Sequence, residues 1–174
     1  MRRWMLVAVC SAMLTPLATL PGQRPVWIGI AGGVTLPQGD LSDGVNTGWH
    51  ALATLMVSTL TQPLGLRADV AYNRFELKAG GGNETIGSLT LNGTYRLPMT
   101  NSPASPYLIA GLGAYRSDCS ATGCEATTKF GWNAGLGTKL YVLGFRSFLE
   151  ARFHRTKSGD THFNYFPLTF GLTF

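Results

Sequence analysis

From about residue 25 onward, apolar and polar residues alternate with a period of two, in stretches of roughly ten residues divided by turn-rich segments. In 87–97, Leu89, Leu91, Tyr95 and Leu97 fall on one face, and Ser88, Thr90, Asn92, Thr94 and Arg96 on the other. A helix would scatter these polar side chains around its circumference, whereas a strand sorts them completely. The same sorting recurs in 64–73, where Leu64, Leu66, Ala68, Val70 and Tyr72 oppose Gly65, Arg67, Asp69, Ala71 and Asn73. It returns in 130–141, 148–154 and 168–174. Three further stretches, 26–36, 49–60 and 107–115, are less regular; 49–60 is apolar on both faces and reads as either a strand or a short buried helix. Taken together these predict eight strands.

The residues on the two faces decide which kind of sheet this is. The polar faces carry Arg67, Asp69, Arg96, Lys139, Glu150 and Arg152, but also Gly29, Gly33, Gly65, Gly111, Gly113, Gly131, Gly135, Gly137 and Gly171. Strand positions facing open water have no need of so much glycine. A narrow lumen does, because an eight-stranded barrel leaves just enough interior room for side chains, and bulky groups need small neighbours. The expected fold class is therefore all-β, an eight-stranded antiparallel up-and-down transmembrane β-barrel with its apolar face on lipid and its polar face on the axis. Aromatic residues gather toward strand ends, Trp49, Phe75, Tyr115, Phe130, Trp132, Phe163 and Tyr165 at one and Trp27, Tyr95, Tyr107, Tyr141, Phe145, Phe148 and Phe174 at the other, which reads as two interfacial girdles. Connections 37–47, 78–85, 117–128 and 156–164 are long and polar, 61–63 and 142–144 are tight, and 99–105 is intermediate. That asymmetry puts the long loops outside the cell and the short turns in the periplasm.

The start of the chain departs from this pattern. Arg2 and Arg3 precede an apolar run that reaches Leu20-Pro21-Gly22, the layout of a secretory signal, so 1–22 is expected to be removed and 23–174 to form the barrel domain. The alternative is an uncleaved anchoring helix, which the shortness of the run and Pro16 oppose. The 14 Lys and Arg against 9 Asp and Glu give +5, and loss of Arg2 and Arg3 leaves +3, too mild a charge to argue for nucleic acid. Cys119 and Cys124 remain after Cys10 leaves with the signal; on the exported side, four residues apart, they read as a local disulfide. A metal site is the alternative, with no histidine nearby to complete it.

Several stretches resemble a known family. Pro106-Tyr107-Leu108-Ile109-Ala110-Gly111-Leu112-Gly113-Ala114-Tyr115, Gly131-Trp132-Asn133-Ala134-Gly135-Leu136-Gly137, Glu150-Ala151-Arg152-Phe153 and the closing 168–174 resemble the small outer-membrane β-barrel superfamily that includes the OmpA membrane domain, OmpX and OmpW. The resemblance implies insertion by the outer-membrane assembly machinery, with Phe170, Leu172 and Phe174 as its recognition signal. It implies an interior charge network around Glu150 and Arg152. No peptidoglycan-binding domain follows Phe174 in this sequence, so the OmpA anchoring role is not implied. A polar lumen also departs from the larger OmpW-like members and argues against passage of small hydrophobic substrates.

The interior charges admit two mechanisms. Arg67, Asp69, Arg96, Lys139, Glu150 and Arg152 form either a gated ion path or a self-closing plug, and the cost of leaving a buried ion unpaired favours the plug. An enzymatic reading rests on His154 and Thr156, whose spacing of two resembles the catalytic His and Ser of lipid A deacylase barrels; a lone histidine at a strand end is more simply a solvated loop residue. His50 and His162 have no evident partners, and Gly80-Gly81-Gly82-Asn83 reads as a flexible loop tip. Lys129, Arg155 and Lys157 sit where they could pair with lipopolysaccharide phosphates. The expectation is thus a monomeric, non-enzymatic barrel in the outer membrane of a Gram-negative-type bacterium. It needs no cofactor, has membrane lipid, lipopolysaccharide and the assembly machinery as partners, and plays a structural or surface-interaction role through its outer loops. A narrow channel or transporter is the alternative, and a lipid A-modifying enzyme the third.

Overall fold

A computed structural model of the chain describes residues 26–58, 63–98, 104–120, 126–142, 144–158 and 161–174. The expected signal segment 1–22, and Cys124 of the expected disulfide, lie outside the described residues. Eight strands are present: β1 (Val26–Gln38), β2 (Gly48–Ser58), β3 (Leu64–Glu76), β4 (Asn83–Arg96), β5 (Ser105–Cys119), β6 (Thr127–Val142), β7 (Phe145–Ser158) and β8 (Thr161–Thr173). A five-residue helix, α1 (Asp40–Gly44), stands between β1 and β2. Each strand pairs antiparallel with the next, and β8 returns to β1 from Gly29↔Thr173 to Gln38↔Asn164, so the sheet is a closed barrel. The doubly apolar stretch that begins at Trp49 is strand β2, and no helix forms there.

The two faces of the wall are inverted relative to a water-soluble protein. Phe130 is 83% exposed and Leu112 70% on the outside, while Arg67 is 1% and Asp69 2% exposed on the inside. Such a surface is stable only against hydrocarbon, and closure satisfies every ladder hydrogen bond without water. Gly144, with φ of 83°, adopts the left-handed backbone that lets β6 turn tightly into β7.

The strands differ from expectation at the end that carries α1, termed the cap end; the opposite end, where Val26 and Phe174 lie, is the turn end. Here β5 runs on to Cys119, β4 begins at Asn83 and β8 begins at Thr161. The expected long connection 156–164 is instead largely a hairpin in which Ser158 pairs with Thr161. The reason lies in the lumen, which is apolar at this level. Leu41 of α1, Val45, Phe75, Ile86, Tyr115 and Tyr165 form a buried cluster, with Leu77 and Phe163 packed against it. Inward positions on these extensions mix the apolar Ile86, Phe163 and Tyr165 with the polar Glu84 and Ser117, so the apolar-out, polar-in alternation disappears from the sequence although the strands continue.

Candidate functional site in the barrel lumen

Parity on the strands fixes which side chains meet on the axis. Arg67 and Asp69 on β3 and Glu150 and Arg152 on β7 lie two apart and therefore point to the same side. Inside the barrel they form a closed ring. Arg67 donates through Nε to Asp69 Oδ1 (2.7 Å) and through Nη1 to Glu150 Oε2 (2.7 Å). Arg152 donates through Nη1 to Asp69 Oδ2 (2.9 Å), and its Nε is ion-paired with Glu150 Oε1. Two guanidinium groups thus face two carboxylates, all at most 4% exposed, and their formal charges cancel.

Neutral donors complete the ring. The Tyr107 hydroxyl donates to Glu150 Oε2 (2.6 Å), and Asn92 Nδ2 donates to Asp69 Oδ2 (3.0 Å). Asn133 Nδ2 in turn donates to Asn92 Oδ1 (2.8 Å). The Arg67 guanidinium also lies over the Phe148 ring, 5.0 Å from its centroid. Arg67 Nη2 and Asn133 Oδ1 are left without a hydrogen bond, but each of the four charges meets two of opposite sign, and removing one partner of such a buried pair costs about 3–5 kcal/mol.

Of the six charges expected in this network, Arg67, Asp69, Glu150 and Arg152 meet. Arg96 and Lys139 do not join them. They line a separate cavity of about 270 Å³ at the turn end, where Lys139 Nζ lies 3.5 Å from Met56 Sδ. The axial shift explains the split: Lys139 pairs across the sheet with Phe148, nearer the turn end than Glu150, and Arg96 closes β4 at that rim.

Toward the cap end lies a layer of neutral polar groups that the sequence reading left unassigned. Thr35 donates to Asn73 Oδ1 (3.1 Å), so its one proton is used and it accepts from His50 Nδ1 (2.9 Å). A neutral His50 then accepts at Nε2 from the Thr169 hydroxyl (2.9 Å). His154 is no solvated loop residue: it is buried, stacked on Tyr165 (4.8 Å, 11°), with Nδ1 3.0 Å from the Tyr115 hydroxyl. Thr156 is buried beyond it. Between this layer and the charged ring remains a void of about 20 Å³, lined by His50, Asp69, Arg152, His154 and Thr169 among others. That volume holds about one water molecule.

Several aromatic residues expected in the girdles lie inside instead. Phe75, Tyr107, Tyr115, Phe148 and Tyr165 are at most 3% exposed, Phe163 packs against the apolar cluster, and Trp27 lines the turn-end cavity. Position along the strand suggested a girdle, but parity decides: Tyr107 and Tyr115 share a face with Gly111 and Gly113, and Phe148 shares one with Glu150. Glycine makes the room. A Cβ on Gly137 would stand 2.6 Å from the Tyr107 hydroxyl, and one on Gly171 would overlap the Phe148 ring. The outward aromatics include Trp49, Tyr72, Phe130, Trp132, Tyr95, Tyr141, Phe145 and Phe174.

On the outer face near the cap end, Arg155 is exposed as expected, together with Arg74 and Arg116. Lys129 turns inward, its Nζ 5.5 Å from the Phe163 ring centroid, because it shares a face with Gly131 and Asn133. The Lys157 side chain lies outside the described residues. Phe170 and Phe174 are exposed at the turn end, with Leu172 half-buried between them. Among the described residues no group of three His, Cys, Asp or Glu side chains is placed to hold a metal ion.

This inside-out closed wall has counterparts among solved structures. The crystal structure of Neisserial surface protein A matches with a TM-score of 0.68 and 19% identity over 85% of this chain and 95% of that one. The fold is that of the small outer-membrane barrels. Two more barrels agree: the N-terminal domain of Pseudomonas aeruginosa OprF (TM-score 0.52, 16% identity, 87% of this chain and 100% of that one) and Yersinia pestis Ail in complex with the heparin analogue sucrose octasulfate (0.52, 19%, 86% and 96%). No protein-family model matches the chain, and no curated protein matches it in sequence. At these identities the shared property is the small-barrel fold, and the lumen must be read from this chain's own residues.

Proposed function

We propose that the chain is a non-enzymatic bacterial outer-membrane barrel with a sealed lumen, which acts through its cap end at the cell surface and through lipopolysaccharide around its rim. The observation that carries this reading is the self-neutralised ring of Arg67, Asp69, Glu150 and Arg152, backed by a void of only about 20 Å³ and covered by the apolar cluster under α1. An ion would have to break charge-assisted bonds and then cross a greasy layer, so conduction is opposed twice.

Five observations support the rest. Lipid contact follows from the outward Ile28, Leu66, Leu91 and Leu112. Lipopolysaccharide phosphates suit Arg74, Arg116 and Arg155, which stand exposed near the cap end, where guanidinium forks bind phosphate well. Ail, of the same fold, has been crystallised with a polysulfated sugar, so such a barrel accepts polyanions. The exposed Phe170 and Phe174 suit recognition by the assembly machinery, and the barrel closes on itself without a second copy. In this orientation the cap end faces outward and the turn end faces the periplasm.

The test is planar-bilayer recording of the refolded protein, in which no resolvable conductance steps are expected. Steps that persist in clean preparations would support the channel reading and overturn this one. In parallel, Arg74→Gln, Arg116→Gln and Arg155→Gln combined should reduce lipopolysaccharide co-purifying with the barrel while heat-modifiable gel migration stays unchanged.

A further inference from the structure

We propose that the turn-end vestibule is a binding site for a small phosphate-bearing molecule. The cavity measures about 270 Å³, near the lower end of small-molecule sites, which start at about 300 Å³. It is therefore of a size for one compact ligand. Three cationic side chains enter it, Arg96 from β4, Lys139 from β6 and Arg146 from β7, and among the described residues no acidic side chain lines it.

The turn-end segments 59–63, 97–104 and 143–144 contain neither Asp nor Glu. The two carboxylates of the lumen, Asp69 and Glu150, are each engaged by both Arg67 and Arg152. Lys139 has as its described hydrogen-bond acceptor the thioether of Met56 at 3.5 Å, a weak one for an ammonium group. Arg146 is held in position without being neutralised: Nε donates to the Tyr141 hydroxyl (2.9 Å), and the guanidinium lies 4.1 Å from the Trp27 ring centroid. An anion in this recess would give Lys139 and Arg146 a counter-charge.

Geometry favours phosphate over carboxylate. Cations arriving from three strands suit a tetrahedral group whose oxygens point several ways, and Ser58 and Ser105 add hydroxyl donors. Trp27, Leu140 and Phe148 offer an apolar wall for the rest of the ligand. The phosphate could belong to a soluble ester or to a lipid headgroup at the rim; the chemistry recognised is the same.

The test titrates phenyl phosphate into the folded barrel in a nonionic detergent, following Trp27 fluorescence, with Trp27→Phe to show that the signal arises in the vestibule. Saturable binding, weakened by salt, is expected. Lys139→Gln combined with Arg146→Gln should raise Kd about tenfold or more, as loss of charged hydrogen bonds requires, and Lys78→Gln at the cap end should leave it unchanged. Heat-modifiable migration establishes that each variant is folded; should the double variant not fold, Lys139→Met alone and broadening of the ligand's phosphorus resonance on the parent protein take its place. Repeating the titration in phosphatidylglycerol nanodiscs separates the sources: a weakened apparent affinity identifies a headgroup already in the site, and an unchanged one identifies a soluble ligand. Absence of saturation, or equal binding by the folded double variant, overturns the proposal. The measurement needs only the barrel interior, so its failure would leave the sealed-lumen reading, which conductance tests, standing.

Discussion

Glu150 is the residue on which the lumen converges, since Arg67, Arg152 and Tyr107 all reach its carboxylate. Glu150→Ala leaves two guanidinium groups short of a partner in a space closed to bulk water. A loss of about 3–5 kcal/mol is expected in urea unfolding from lipid vesicles. Tyr107→Phe removes one hydrogen bond to a charged acceptor and should cost about 1.5–3 kcal/mol in the same measurement. His154→Ala should leave the lipid A of expressing cells unchanged by mass spectrometry, since His154 is stacked and bonded among buried aromatics. An altered lipid A pattern in the parent, lost in the variant, would revive the enzymatic reading. At this scale the charged quartet was legible in the sequence, because a spacing of two on one strand settles the face. The buried aromatics are equally determined by parity, which overrides the girdle pattern that their place near strand ends suggests. His50 was not legible, because β2 is apolar on both faces and its inward Leu52 and Met56 give no polar signal.

Among the elements, α1 and the strand extensions beneath it were the least legible. A five-residue helix is too short to show a 3.6-residue period, and its one buried side chain, Leu41, gives no pattern. Its position depends on tertiary bonds: Asn46 N–H to Glu76 O (2.8 Å), Lys78 N–H to Gly44 O (2.9 Å) and Lys78 Nζ to Ser42 O (2.7 Å). Leu41→Ala should therefore loosen the cap without opening the wall, seen as faster protease cleavage within 39–47 at unchanged gel migration. Glu84 gives the cap end a pH response. It stands at the start of β4, beyond the apolar band that begins on this strand at Leu89, and burial, then the Asp118 carboxylate, pushes its pKa up to about 7. A carboxyl that holds its proton more tightly when folded favours folding while protonated, so stability should fall as pH rises from the ordinary glutamate value of 4.5 through about 7. Glu84→Gln should match the parent at pH near 4 and exceed it in thermal unfolding at pH near 8; an equal offset at both would show that Glu84 does not titrate in this way.

As a whole molecule, the protein is an inverted solid: apolar outside, charged at mid-height, greasy beneath its lid and open as a vestibule at the other end. The outer inversion was fully readable, since lipid contact imposes one simple rule on alternate positions. The interior stratification was not, because the order of layers along the axis depends on strand stagger, which places Lys139 below Glu150 although the two share a polar face. The seam between β1 and β8 has its own bearing on biogenesis. Because the first strand finds its last neighbour only in the segment from Asn164 to Thr173, a nascent polypeptide that lacks this stretch carries two raw margins with unmet amide partners. Such a fragment has no stopping point short of aggregation or proteolysis, so production of this protein is expected to be all or nothing, with its final dozen or so residues acting as the clasp.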